Sequence, residues 1–141
     1  MKQVQFRSAD RLLVLPGKTA LKGFICELFQ KEKRELGSIT YVFCSDKFLL
    51  KINQDFLQHD YYTDIISFEL SDKRDPAEAE IYISIDRVKE NAKTLGVSFK
   101  QEVLRVIFHG ALHICGYKDK SRAEQQIMRK KEDIYIGLFT K

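Results

Sequence analysis

Hydrophobic and polar positions change period several times along the chain, and each change marks an element. A short apolar-polar alternation at Val4 to Phe6 predicts a first strand, and an apolar run follows at Leu12 to Leu15. After Pro16, residues Leu21, Phe24, Ile25, Leu28, Phe29 and Leu36 recur at helical spacing until Gly37, which predicts an amphipathic helix with a start and a stop. Ile39, Tyr41 and Phe43 then alternate with Thr40, Val42 and Cys44, a period of two in β-branched and aromatic residues that predicts a strand. Ser45 or Asp46 stands where a cap is needed for a short helix through Leu57.

Thr63 to Leu70 and Glu80 to Ile85 predict two further strands, separated by the charged stretch SDKRDPAEA, whose Asp75-Pro76 step disfavours helix. Asp86 is placed to cap a helix carrying Val88, Ala92 and Leu95, which Gly96 closes. Ser98 and Gln101 form a capping-box pattern ahead of a strongly apolar helix from Phe99 to Cys115, ended by Gly116. Ser121 and Glu124 repeat that pattern ahead of a last helix with Ile127, Met128, Ile134, Tyr135 and Leu138 expected inward. Neither an internal repeat nor a low-complexity linker interrupts the series, so residues 1–141 read as a single α+β domain. The expectation is a mixed sheet of about four strands packed with about five helices.

With 141 residues, 44% hydrophobic and 31% charged, the chain is long enough to bury a core without disulfide staples. Cys26, Cys44 and Cys115 are odd in number, far apart and set among apolar neighbours, the usage expected of buried thiols in a reducing compartment. No run approaches the roughly 20 apolar residues of a membrane span, and no apolar segment follows the charges at the N-terminus, so the expected location is cytoplasmic, with no membrane partner. A net charge of +4, from 24 Lys and Arg against 20 Asp and Glu, permits a polyanionic partner without demanding one.

The chemistry concentrates at one string, HxxxHxxGxxD, formed by His109, His113, Gly116 and Asp119. Histidines four apart on a helix leave the same face and can reach one ion at the roughly 2.0 to 2.1 Å of a zinc-nitrogen bond, as on a zincin-like metal helix. Gly116 breaks the helix and lets the Asp119 carboxylate return as a third ligand. Two imidazoles and a carboxylate would leave the fourth position of a zinc ion to water, the mark of a catalytic rather than a structural site. The alternative is that both histidines pack in the helix while Asp119 caps the next one. Metalloproteases with a similar spacing place a general-base Glu directly after the first histidine; Gly110 stands there instead, and peptide hydrolysis by that route lacks its base.

The string His109-Gly-Ala-Leu-His113-Ile-Cys-Gly116-Tyr117-Lys118-Asp119 resembles the signature HGxLHLxGYDH of the YbeY-type endoribonucleases, or rRNA maturation factors. Asp119 occupies the place of the family's third histidine. The likeness extends upstream, where Asn53, Asp60 and Thr63-Asp64-Ile-Ile-Ser67-Phe68 resemble the pattern LNxxYRxxDxPTDVLSF, and Glu80-Ile81 falls where the family often has GDI; it covers about residues 40 to 135. The resemblance implies a zinc-dependent, single-strand-specific endoribonuclease with one zinc per chain. It also implies rRNA maturation near the small-subunit 3′ end, ribosome quality control, and ribosomal RNA with the ribosome or its small subunit as partners. On this reading His109, His113 and Asp119 are both the metal ligands and the catalytic residues, and Thr63 and Ser67 face substrate. The family's Arg is aligned with Leu57 and its Pro with Tyr62, so phosphate contacts are expected from Lys118, Lys120 or Arg122 instead.

Four other features carry plainer readings. His59 is expected as an exposed loop residue outside the ligand set, Tyr61 and Tyr62 as packing groups rather than base-stacking ones, and Arg129-Lys130-Lys131 as a solvated helix face. Besides the nuclease, two functions stay in play: a metalloprotease-like hydrolase, and a noncatalytic ribosome-associated module that keeps zinc only for structure.

Overall fold

A computed structural model describes residues 3–59 and 61–141; Asp60, part of the upstream pattern, lies outside the described residues. The element order is β1 (Val4–Ser8), α1 (Lys18–Lys31), β2 (Leu36–Cys44), α2 (Asp46–Leu57), β3 (Ile65–Glu69), β4 (Ala77–Ser84), α3 (Ile85–Leu95), α4 (Phe99–Ile114) and α5 (Arg122–Phe139). The four strands form one sheet in the order β1-β2-β4-β3, parallel from β1 to β4 and antiparallel at β3. The sheet is therefore mixed, as expected for the α+β class. Among the described residues no helix is long and apolar enough to cross a membrane.

Successive strand residues point to opposite faces, and the two faces bury different sets. Ile39, Tyr41, Phe43, Ile65, Ile81 and Ile83 join the main core beneath α1, α3, α4 and α5, whereas Cys44, Ile66, Phe68 and Tyr82 join a smaller cluster with Leu49 and Ile52 of α2. α4 is the axis of the main core: Val103, Leu104, Val106, Ile107, Phe108, Ala111, Leu112 and Ile114 are all buried. The buried hydroxyl of Tyr41 on β2 donates to the Ile107 carbonyl at 2.9 Å, tying the sheet to the middle of this helix. At Gly110 the helix comes so close to the sheet that a Cβ would lie 2.9 Å from Ile81 Cδ1 and 3.1 Å from Ile65 Cδ1. Glycine is required here by close approach, and the position that holds a glutamate in the metalloproteases faces packed isoleucine rather than a site.

The helix boundaries follow local chemistry. Ser45, Ser98 and Ser121 each accept a hydrogen bond from a backbone N–H of the first turn, and Ser121 with Glu124 completes a full capping box. Gly96 (φ 69°) and Gly116 (φ 112°) leave α3 and α4 in conformations that a side chain rarely adopts.

Several expectations are corrected. α1 stops at Lys31, and Leu36 belongs to β2, because pairing with Ala77 on β4 competes successfully with one more helical turn. β4 begins at Ala77, inside the stretch expected to be loop. Ser84, not Asp86, caps α3; the Asp86 carboxylate instead accepts from the Asp46 N–H at 3.0 Å and pairs with Arg11 at 3.3 Å. On α5 the inward residues are Met128, Glu132, Tyr135 and Ile136, while Ile127, Ile134 and Leu138 are 53, 47 and 42% exposed. The thiols are free, but only Cys44 is buried; Cys26 and Cys115 are half-buried.

Candidate functional site

Three elements bring the chemical groups together: α4, the loop that follows it, and α5. Glu102, Arg105, His109 and His113 recur at three and four residues on α4, one stripe along the side not spent on the sheet. The His109 and His113 rings lie parallel within 3°, their centroids 6.4 Å apart. After Gly116 turns the chain, Asp119 Oδ2 comes to 3.2 Å from His109 Nε2. His109 and Asp119 are thus in contact, and His113 presents its ring one turn further along the same face.

The other ring nitrogen of His109 is fixed by a residue that sequence reasoning missed. Glu132, on α5 and only 4% exposed, takes His109 Nδ1 at 2.7 Å on one oxygen and Arg105 at 3.0 Å on the other. Arg105 also reaches Asp133 at 2.7 Å. With its carboxylate held by a guanidinium, Glu132 accepts the Nδ1–H and leaves His109 Nε2 facing Asp119. Burial alone would lower the His109 pKa, but the Glu132 hydrogen bond and the negative charges of Glu132 and Asp119 outweigh it and hold the imidazole above its ordinary value. The available signal was spacing: Glu132 lies four residues after the buried Met128 and three before the buried Tyr135, on the helix face turned inward.

These groups open onto a groove of about 1130 Å³ between α4, α5 and the β3 side of the sheet. It is lined by His109, His113, Asp119, Thr63, Ser67 and Arg122, so six of the eight residues singled out from the sequence meet there. Lys118 and Lys120 are exposed on the turn beyond Gly116 and do not line it; Arg129 and Lys130 of α5 do. Asp64 also lines the groove, with the Asn91 amide at 3.3 Å, and burial pushes its carboxyl above the ordinary range. Burial does the same to Glu102, whose Oε1 has no hydrogen-bond partner. Glu80 is elsewhere, on β4, accepting from Tyr82 at 3.3 Å.

Among the described residues no three His, Cys, Asp or Glu side chains stand close enough to hold a metal ion as arranged. The donor set itself fits a divalent cation. His109 has one nitrogen tied to a buried carboxylate, the support that metal-binding imidazoles require, and its other nitrogen shares a solvent-facing side with His113 and Asp119.

The family profile described as Endoribonuclease YbeY matches residues 17–139. Among curated relatives, an endoribonuclease YbeY of Cytophaga hutchinsonii is 44% identical over 133 residues, covering 94% of this chain and 93% of that protein. One of Flavobacterium psychrophilum is 47% identical over 121 residues, covering 86% of each. A protein of Thermotoga maritima solved in solution matches with a TM-score of 0.62 and 25% identity, covering 96% of this chain and 88% of that one.

Proposed function

The chain belongs to the endoribonuclease YbeY family, and on that premise we propose that it is a zinc-dependent endoribonuclease acting on single-stranded regions of ribosomal RNA. The processing of the small-subunit RNA 3′ end, with a part in ribosome quality control, is the cellular role that goes with this reading, and the ribosome or its small subunit is the partner. The observation that carries the proposal is the Glu132–His109–Asp119 chain of contacts ending on a groove that also receives His113.

His109, His113 and Asp119 are the residues that would hold one zinc ion, which when bound supplies Lewis acidity toward a phosphodiester and an acidic water. The chain's own groups account for the rest. Glu132 and Arg105 hold His109 in one tautomer and orientation, so no reorganisation is needed when a donor atom is called on. Arg122, Arg129 and Lys130 supply cations for the phosphates of a strand in a groove that Asp64, Asp119 and Asp133 also line, and Thr63 and Ser67 line it from β3 and the residues just before that strand. Gly110, packed on Ile81 and Ile65, supports nuclease over protease chemistry because no side chain at that position reaches the groove.

The test is RNA cleavage by the purified protein before and after chelation, and by His113→Ala. The His113 side chain is exposed, so the variant is expected to keep the wild-type melting temperature within a few degrees while losing at least about 100-fold in cleavage of a single-stranded RNA. A module that keeps zinc only for structure would unfold on chelation instead. Peptide cleavage with intact RNA would favour the hydrolase alternative.

A further inference from the structure

The segment between α2 and β3 holds aromatic rings out to solvent where packing was expected. Tyr61 is 55% exposed and Tyr62 51%. Tyr62 is covered on one face by the Arg87 guanidinium, 5.4 Å from its centroid. Tyr61 lies on His59, with ring centroids 5.2 Å apart and planes 20° from parallel, and its hydroxyl is 3.0 Å from His59 Nδ1. Both residues line the groove that contains His109, His113 and Asp119.

This pair is held from below. α2 ends at Gln58 in a left-handed conformation (φ 56°), which turns the chain back so that the His59 N–H donates to the Asn53 carbonyl at 3.0 Å. The Asn53 amide, 2% exposed, donates in turn to the Tyr61 carbonyl at 2.9 Å. The backbones of His59 and Tyr61 are thus both tied to Asn53, and the contact between their rings reduces the freedom an incoming group has to suppress. The groove is mixed in charge, with Arg122, Arg129 and Lys130 among the carboxylates Asp64, Asp119 and Asp133, and a flat π surface beside those cations matches a polymer of flat bases on a phosphate backbone. We propose that His59 and Tyr61 form a stacking platform for one unpaired nucleobase of the RNA strand in the groove; the proposal rests on the endoribonuclease reading and gives it a source of single-strand selectivity. A base inside a duplex has both faces covered by its neighbours and cannot use the platform.

The chain has no tryptophan, so Tyr61→Trp installs a single indole at the platform. The full-length protein is titrated with a single-stranded 2′-O-methyl RNA decamer and with the same backbone made abasic. The base-bearing strand is expected to bind wild type roughly 10-fold tighter than the abasic one. Tyr61→Ala should remove that difference, Tyr61→Phe should keep it, and the emission of Tyr61→Trp should be quenched only by the base-bearing strand. Equal affinity of wild type for the two strands, or unchanged emission from Tyr61→Trp on saturation, overturns the platform and leaves the rings to a protein partner. Failure of wild type to bind either strand overturns the nuclease reading with it.

Discussion

On α5 the adjacent residues Lys131 and Glu132 enter two different clusters of polar groups, one on each side of the turn that carries Asp119. Lys131 joins Glu32, the residue that caps the C-terminus of α1, at 3.3 Å; the same carboxylate accepts from Tyr117 at 2.6 Å and from Tyr135. All of these bonds run between protein groups, and together they clamp the Gly116–Tyr117 turn between α1 and α5. Glu132 joins Arg105 and His109, but that chain does not close: it continues through His109 Nε2 to the half-exposed Asp119, with His113 beside it at the groove. The closed cluster spends its hydrogen bonds on position, whereas the open one ends with Asp119 and His113 at the groove. A buried network that terminates at a groove is the physical signature that separates site from scaffold here.

The contrast is sharpest at Glu132. Glu132→Ala leaves Arg105 and His109 facing a buried vacancy, and breaking such a pair is expected to cost about 3–5 kcal/mol in denaturant unfolding. Glu132→Gln keeps the volume, and zinc affinity measured by competition with a chromogenic chelator should fall roughly 10- to 100-fold. Unchanged affinity in Glu132→Gln would mean that the open cluster is scaffold as well.

Glu32→Gln should cost about 2 kcal/mol, less than Glu132→Ala, while sparing zinc affinity. Its pH dependence has a definite sign. Burial alone would raise the Glu32 pKa, but the Tyr117 and Tyr135 hydroxyls and the Lys131 charge bring it below its ordinary 4.5. The folded state therefore gains stability from this carboxylate above that value and loses it as pH falls through the lowered one. The gap between wild type and Glu32→Gln in denaturant midpoint should narrow on acidification below about pH 4.5, and a constant gap would remove the carboxylate from the clamp. Lys131→Met is the mildest change. The lysine side chain is 36% exposed, so about 1 kcal/mol or less should be lost, a shift of a few degrees at most by calorimetry.

The parts of the site legible in the sequence were those fixed by local geometry. His109 and His113 had to share a face because they are four apart on a helix whose start at Ser98 and end before Gly116 were both written in the chain. What escaped was anything that depends on which surface a helix is laid against. On α5 the apolar residues span a broad arc, and burying Ile127, Ile134 and Leu138 would have been equally consistent with their spacing; docking on α4 chose the neighbouring stripe and carried Glu132 inward with Met128 and Tyr135. A glutamate in a highly charged helix has no local mark of burial, since burial becomes tolerable only once Arg105 and His109 of another element surround it. For the same reason Tyr61 and Tyr62 read as packing groups: nothing nearby in the sequence says that the loop holding them turns away from the core.

The sequence by itself determined the element types, most helix ends, the α+β class and the two-histidine face, because caps, periodicity and glycine conformations act over a few residues. The tertiary structure alone decided the β1-β2-β4-β3 order, the need for glycine at 110 against Ile81 and Ile65, the burial of Glu132 and the groove that Thr63, Ser67, His109 and Asp119 share. These features pair groups tens of residues apart, and their energies depend on distances that exist only after the helices have packed on the sheet.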